Sequence, residues 1–198
     1  MTTTDVRAAL EGAVDELPRG LRDHVQRVVT EARRLARRYG IDEERAAVAA
    51  LGHDLARARP PAELLREAGA AGLELSPVER GSPILLHGAL AAHAMAERFG
   101  VEDAEVLAAA RYHTIGRAGM SALERLISVA DKIEPEKVRG EAALAEAHRL
   151  ADESLEAAMR HLLDLHVGRA LARGWPLHPD TVAARNELLQ TGQKARNA

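Results

Sequence analysis

An all-α fold in a single domain is what this sequence predicts, and three observations carry the prediction. Apolar residues make up 46% of the 198 residues, and aromatics only 2%. The apolar set is mostly Ala, Leu and Val, which suits closely packed helices better than strands, where β-branched and aromatic side chains are favoured. Apolar positions recur at three- and four-residue steps in one segment after another, with Gly, Pro, Asp and Ser marking the stops and starts.

The first helix is expected from Asp5 to Leu17, closed by Pro18. Leu21 to Tyr39 follows, with Leu21, Val25, Val28, Ala32 and Leu35 on one face and Gly40 as the stop. Asp42 reads as an N-cap for a helix reaching Ala56, and Glu43 and Glu44 suit its first turn. Pro60-Pro61 opens a short helix to Ala68, and the Gly- and Pro-rich stretch from Gly69 to Pro83 reads as loop with one turn of helix. Helices from Leu86 to Phe99 and from Asp103 to His113 come next, then a loop from Thr114 to Gly119. Ser121 and Glu124 form a capping-box pattern for a helix to Ile133, which Pro135 breaks. A continuous helix is expected from Glu141 to Ala172, and a last one from Pro179 to Leu189. Residues 20–133 would form a metal-binding core, 141–190 helices packed on it, and 191–198 a tail.

The net charge of −3 gives no global basic field to draw the chain onto nucleic acid or an anionic membrane. The absence of cysteine excludes disulfides, thiolate metal ligands and cysteine nucleophiles. No apolar stretch is long enough to span a bilayer, and Met1-Thr2-Thr3-Thr4-Asp5 lacks the pattern of a signal peptide, so a cytoplasmic location is expected.

The chemistry lies in histidines and aspartates set against apolar runs. His53-Asp54 follows Ala46-Ala47-Val48-Ala49-Ala50-Leu51-Gly52, where an imidazole and a carboxylate are costly unless paired or bound to a metal. His24 lies beside the apolar face of its helix, and Asp131 ends the run Leu126-Ile127-Ser128-Val129-Ala130. His87 opens one helix and His113 closes another. Each of these alone is an ordinary buried or salt-bridged residue. Together His24, His53, Asp54, His87, His113 and Asp131 offer six nitrogen and oxygen ligands, too many for one four-coordinate ion. Two divalent ions sharing one carboxylate fit better, and such a pair holds a hydroxide and clamps a phosphate. The donor set suits iron, manganese, zinc or nickel. Arg57, Arg111, Arg117 and Lys132 flank these ligands and are candidate phosphate contacts, while Thr114 and Gly116 let a loop backbone approach phosphate. Trp175 reads as a core plug at a helix end.

The order His, His-Asp, Asp on three helices is the HD signature, so the fold expected is an HD-domain helical bundle. Leu51-Gly52-His53-Asp54-Leu55-Ala56-Arg57, Leu86-His87-Gly88, Arg111 to Arg117, Met120 to Glu124, Ala130 to Pro135 and His178 to Asn186 resemble successive motifs of the YqeK-type HD-domain family. The resemblance runs from His24 to Leu189. It implies a symmetrical bis(5'-nucleosyl)-tetraphosphatase that splits diadenosine tetraphosphate into two ADP with a di-iron centre. It also implies that His24, His53, Asp54 and Asp131 hold one metal, and that Asp54, His87 and His113 hold the other, with Asp54 bridging. Catalytic roles then fall to Asp54, Arg57, Arg117 and Lys132, and substrate contacts to Arg111, Thr114, Gly116 and Arg117. Arg57 and Leu55 depart from the Lys and Tyr common at those positions, and Glu136 to Gly140 departs from the usual pattern after the proline. The partner expected is a dinucleoside polyphosphate, with neither nucleic acid nor membrane, and a homodimer is left open. Other readings left open are an HD phosphohydrolase acting on a mono-, tri- or cyclic nucleotide, and a non-catalytic nucleotide-sensing module.

Overall fold

Helix follows helix through residues 3–197, which the computed structural model describes, and no strand occurs among them. The order is α1 (Thr3–Asp15), α2 (Arg19–Tyr39), α3 (Glu43–Gly52), α4 (Pro61–Ala70), α5 (Pro77–Gly81), a 3-10 turn (Pro83–Leu86), α6 (His87–Phe99), α7 (Ala104–Tyr112), α8 (Ala122–Ile133), α9 (Pro135–Arg139), α10 (Ala142–Ala151), α11 (Leu155–Arg173) and α12 (Pro179–Asn197). None of these helices is long and apolar enough to cross a membrane.

Local chemistry sets many of the ends. The Asp42 carboxylate accepts from the backbone N–H groups of Glu44 and Arg45 at the start of α3. Ser121 and Glu124 close a reciprocal capping box on α8. Gly40 and Gly100 end α2 and α6 in the left-handed region, both with φ of 65°.

Several expectations are set beside the structure. The helix that opens at Glu43 stops at Gly52 rather than Ala56. Beyond it the backbone tightens to three-residue hydrogen bonds, Leu55 N–H to the Gly52 carbonyl at 3.3 Å and Arg57 N–H to the Asp54 carbonyl at 2.9 Å. The helical turn expected within 69–83 is α5, which Ser76 and Glu79 cap with a second capping box. Pro135 both ends α8 and opens α9, because a proline needs no N–H at the first helical position. The long C-terminal helix is two helices, parted at 152–154, where Ser154 caps α11 by accepting from Ala157 N–H. The last helix continues through Asn197, and of the expected tail Ala198 lies outside the described residues. Trp175 is 52% exposed rather than a core plug, with the Arg173 guanidinium over its ring.

One apolar cluster joins α1 to α12, from Val6 to Leu188. At its centre α2 lies against α3 and α8, α3 against α7, and α6 and α8 against α7. Helices α10 and α11 cover the outer side of α8, and α12 packs on α11. Gly88 sets the α6–α7 approach: a Cβ there would lie 2.6 Å from the Arg111 carbonyl oxygen and 3.0 Å from that of Ala110. Only glycine lets these backbones come so close, and the consequence is that His87 reaches His113.

Candidate metal centre

Five elements deliver six side chains to one buried point. His24 comes from α2, His53-Asp54 from the end of α3, His87 from the start of α6, His113 from the end of α7 and Asp131 from α8. None of the six is more than 9% exposed.

Three of the histidines sit where a helix ends, and that position fixes their tautomer. The last carbonyls of a helix lack backbone donors. His53 Nδ1 lies 2.6 Å from the Ala50 carbonyl, His87 Nδ1 2.5 Å from that of Ile84, and His113 Nδ1 2.8 Å from that of Ala110. A carbonyl only accepts, so each Nδ1 carries the proton and each Nε2 presents a lone pair. His24 reaches the same state by another route. Its Nδ1 lies 3.2 Å from Glu134 Oε1, and the Arg27 guanidinium donates to the other Glu134 oxygen at 2.6 Å. Although burial opposes ionisation of Glu134, the Arg27 hydrogen bond holds its carboxyl below the usual range. A charged acceptor on the far nitrogen orients a ligand histidine and raises its basicity.

Four Nε2 lone pairs therefore face two carboxylates. His24 Nε2 is 3.1 Å from Asp131 Oδ1 and 3.7 Å from Asp54 Oδ2, while His53 Nε2 is 3.5 Å from Asp54 Oδ2. On the other side, His87 Nε2 is 3.1 Å and His113 Nε2 3.5 Å from Asp54 Oδ1. The Nε2 atoms of His87 and His113 are 3.1 Å apart. Acceptor faces acceptor at these distances, and His53 Nε2 and Asp54 Oδ1 are buried without a hydrogen-bond partner among the described residues. That arrangement is unfavourable unless cations lie among the lone pairs. The donors fit divalent ions: His24, His53 and Asp131 are close enough to share one, as are His53, Asp54 and His113. Asp54 directs Oδ2 to one half of the cluster and Oδ1 to the other.

Asp131 is also held by two ammonium groups. Lys132 Nζ is 2.5 Å from its Oδ2 and Lys137 Nζ 2.6 Å from its Oδ1. Against burial, which favours the neutral acid, these lysines keep Asp131 ionised well below the usual carboxylate range.

The flanking residues divide. Thr114 Oγ is 2.9 Å from His113 Nε2 and 3.3 Å from His87 Nε2, so it stands at the cluster with Lys132. Gly116 has φ of 68° and turns the loop under Met159 and Ala184. Arg117 grips the buried Glu124 carboxylate with two hydrogen bonds of 2.7 and 3.0 Å and lies over Tyr112. Arg57 is exposed in the turn after Asp54. Arg111 lines a different cleft, with Ser76, Glu79 and Asp180. Two residues that the sequence did not single out are thus prominent: Glu134, which orients His24, and Lys137. The partner of Glu134 is 107 residues away, so no local pattern points to it. The C-terminal motif and the residue after it contact the loop that follows His113: Thr181 donates to the Ile115 carbonyl at 2.7 Å, and Glu187 accepts from Gly119 N–H at 2.6 Å.

Residues 21–136 match the HD domain family, and the matched span holds all six cluster residues. The chain belongs to the HD domain family. Within it, the chain is 33% identical to the symmetrical bis(5'-nucleosyl)-tetraphosphatase of Bacillus subtilis, over 84% of this chain and 88% of that one. It is 36% identical to the Halalkalibacterium halodurans protein of the same name, over 84% and 87%. An HD superfamily hydrolase from Clostridium acetobutylicum, described as involved in NAD metabolism, has the same fold: TM-score 0.87, 31% identity, and coverage of 96% of this chain and 98% of that one. The His/Asp cluster is the part of this fold able to hold metal ions.

One acid-lability prediction follows from the burial of these histidines. In protein stripped of metal, burial lowers His53 to about 4 and also lowers His87. A base whose folded value is depressed binds its proton first in the unfolded chain. The stability it contributes is present above the ordinary histidine value of 6.5 and is lost as pH falls toward 4. The urea midpoint of stripped protein should be flat above pH 7 and fall below 6.5, with His53 alone contributing about 3 kcal/mol. A midpoint that rises on acidification through this window would contradict the burial of these imidazoles as neutral groups.

Proposed function

We propose that this chain hydrolyses diadenosine tetraphosphate symmetrically to two ADP, in the cytoplasm, with two divalent ions, iron first among them. His24, His53, Asp54 and Asp131 hold one ion, and Asp54, His87 and His113 hold the other. The observation that carries this reading is the Asp54 carboxylate, whose Oδ2 faces His24 and His53 and whose Oδ1 faces His87 and His113. Bound ions supply Lewis acidity and a water of lowered pKa.

The chain's own residues set where the substrate lies. Lys132, on Asp131, meets a phosphate as a point charge, and the Thr114 hydroxyl beside both second-half histidines donates to a neighbouring oxygen. Arg57, exposed in the turn after Asp54, would take the next phosphate. Arg117, held by Glu124, fixes the loop carrying Thr114 and Gly116 more than it meets substrate. Arg111 stands in the neighbouring cleft, at the far end of an extended substrate. In this arrangement water attacks one inner phosphorus and the central bridging oxygen leaves with the other ADP.

Chromatography of the first products tests this. Two ADP and nothing else is expected from diadenosine tetraphosphate. ATP with AMP would reject symmetrical cleavage. Inertness toward it with fast turnover of a mono-, tri- or cyclic nucleotide would assign a different HD phosphohydrolase activity.

A further inference from the structure

We infer that the cleft between α8 and α11 takes one nucleoside of the substrate, with the buried Ser128 hydroxyl as its hydrogen-bonding anchor. The inference rests on the nucleotide-hydrolase reading above for the chemistry of its ligand. The cleft opens beside the second half of the cluster, since His113 and Thr114 form one wall and Lys132 and Ser128 another. Its remaining walls are mostly apolar, built by Leu144, Met159, Leu162 and Leu163, together with His166 and Arg169, whose guanidinium is paired with Glu141.

Ser128 is 2% exposed, and its hydroxyl has no hydrogen-bond partner among the described residues. A helical serine ordinarily relieves itself by bonding to a carbonyl one turn back. This one does not, although it borders a cleft, so the group that satisfies it comes from the ligand. The helix geometry orders that ligand. Ser128, Asp131 and Lys132 stand at positions i, i+3 and i+4 of α8 and share a face. A molecule whose phosphates meet Lys132 and the Asp131 end runs along this face to Ser128. The part that reaches Ser128 is uncharged, because the arginine of this cleft, Arg169, is already paired with Glu141, and an anion among the aliphatic side chains would lose its solvation without a free counter-charge. The uncharged part of a dinucleoside polyphosphate is its nucleoside. Leucine and methionine grip it from the sides, with Met159 free to adapt to the ring. Lys132 thus marks the boundary between the phosphate and nucleoside halves of the site.

The test compares ADP with methylenediphosphonate, an inert diphosphate lacking the nucleoside, by calorimetric binding to metal-loaded protein. The parent should bind ADP at least about tenfold tighter. Leu162→Trp, which fills the cleft, should erase that preference while metal content and methylenediphosphonate affinity stay at the parental level. Ser128→Ala, a small change in case the larger one disturbs folding, should lower ADP affinity by roughly 3- to 10-fold and leave methylenediphosphonate unchanged. A parent without the preference, or variants that both keep it in full, would overturn the cleft assignment. A parent that prefers ADP in this way but does not cleave diadenosine tetraphosphate sinks the proposed reaction and leaves the nucleoside cleft standing.

Discussion

Asp54→Ala is expected to remove both metal ions and to lower turnover by on the order of 10³-fold or more. The expectation follows from the two directions of one carboxylate. Its Oδ1 lies near His87 and His113, and its Oδ2 near His24 and His53, so a single substitution takes a charged ligand from each half. What remains in the second half is two neutral imidazoles. The first half keeps Asp131, but Lys132 and Lys137 already hold that carboxylate, and without Asp54 an entering ion must displace an ammonium with less charge to attract it. His87→Ala should differ in kind: the second ion weakens and the first stays. The fold should survive Asp54→Ala, because the apolar cluster from α1 to α12 does not include the site's polar groups. Elemental analysis beside circular dichroism checks this. Full occupancy of both ions in a folded Asp54→Ala protein would contradict the bridging role.

Gly88→Ala should be strongly destabilising for a single added methyl. The added Cβ would meet two carbonyl oxygens of α7, at 2.6 and 3.0 Å, and these are backbone atoms that cannot swing aside. Helices α6 and α7 must part, at a cost of about 1–3 kcal/mol. For a domain of this size that lowers Tm by roughly 3–10 °C. The same movement draws His87 away from His113, so the second ion should weaken alongside. Gly168→Ala is the matched control. It lies exposed within α11 with nothing near its would-be Cβ, and alanine there should stabilise by up to about 1 kcal/mol. Calorimetry of both variants reads the difference. A Gly88→Ala protein with the parental Tm and both ions would contradict the close-approach argument.

The residues of the buried His/Asp cluster were legible in the sequence for a physical reason. An imidazole or carboxylate next to an uninterrupted apolar run must find a partner, and His53-Asp54 after Ala46 to Leu51 and Asp131 after Leu126 to Ala130 announce that need. The caps at Asp42 and Ser121 were legible because they are built from neighbours in the chain. The stop at Gly52 was not, because Leu55 and Ala56 continue the apolar pattern while the helix is ended by the tight turn and by the His53 ring on the Ala50 carbonyl. Nor did the break between α10 and α11 show itself, since Asp152-Glu153-Ser154 contains neither Gly nor Pro and only Ser154 signals a cap. Charged side chains were least legible. Arg57, Arg111 and Arg117 stand close to ligands in sequence, yet one is exposed, one faces another cleft and one is held by Glu124. Their fates depend on what tertiary packing brings opposite them. The lone serine within Leu126-Ile127-Ser128-Val129-Ala130 was a signal available in the sequence, one turn before Asp131, and its meaning emerges only with the cleft beside it.

The central claim is that four Nε2 lone pairs and two carboxylates are arranged around two cations sharing Asp54. Anomalous diffraction from crystals of anaerobically metal-loaded protein, collected at the metal edge, tests it most directly. Two peaks are predicted, one on each side of the Asp54 carboxylate, with His24 and His53 facing the first through Nε2 and His87 and His113 facing the second through Nε2. A single peak, or peaks away from Asp54, would contradict the account.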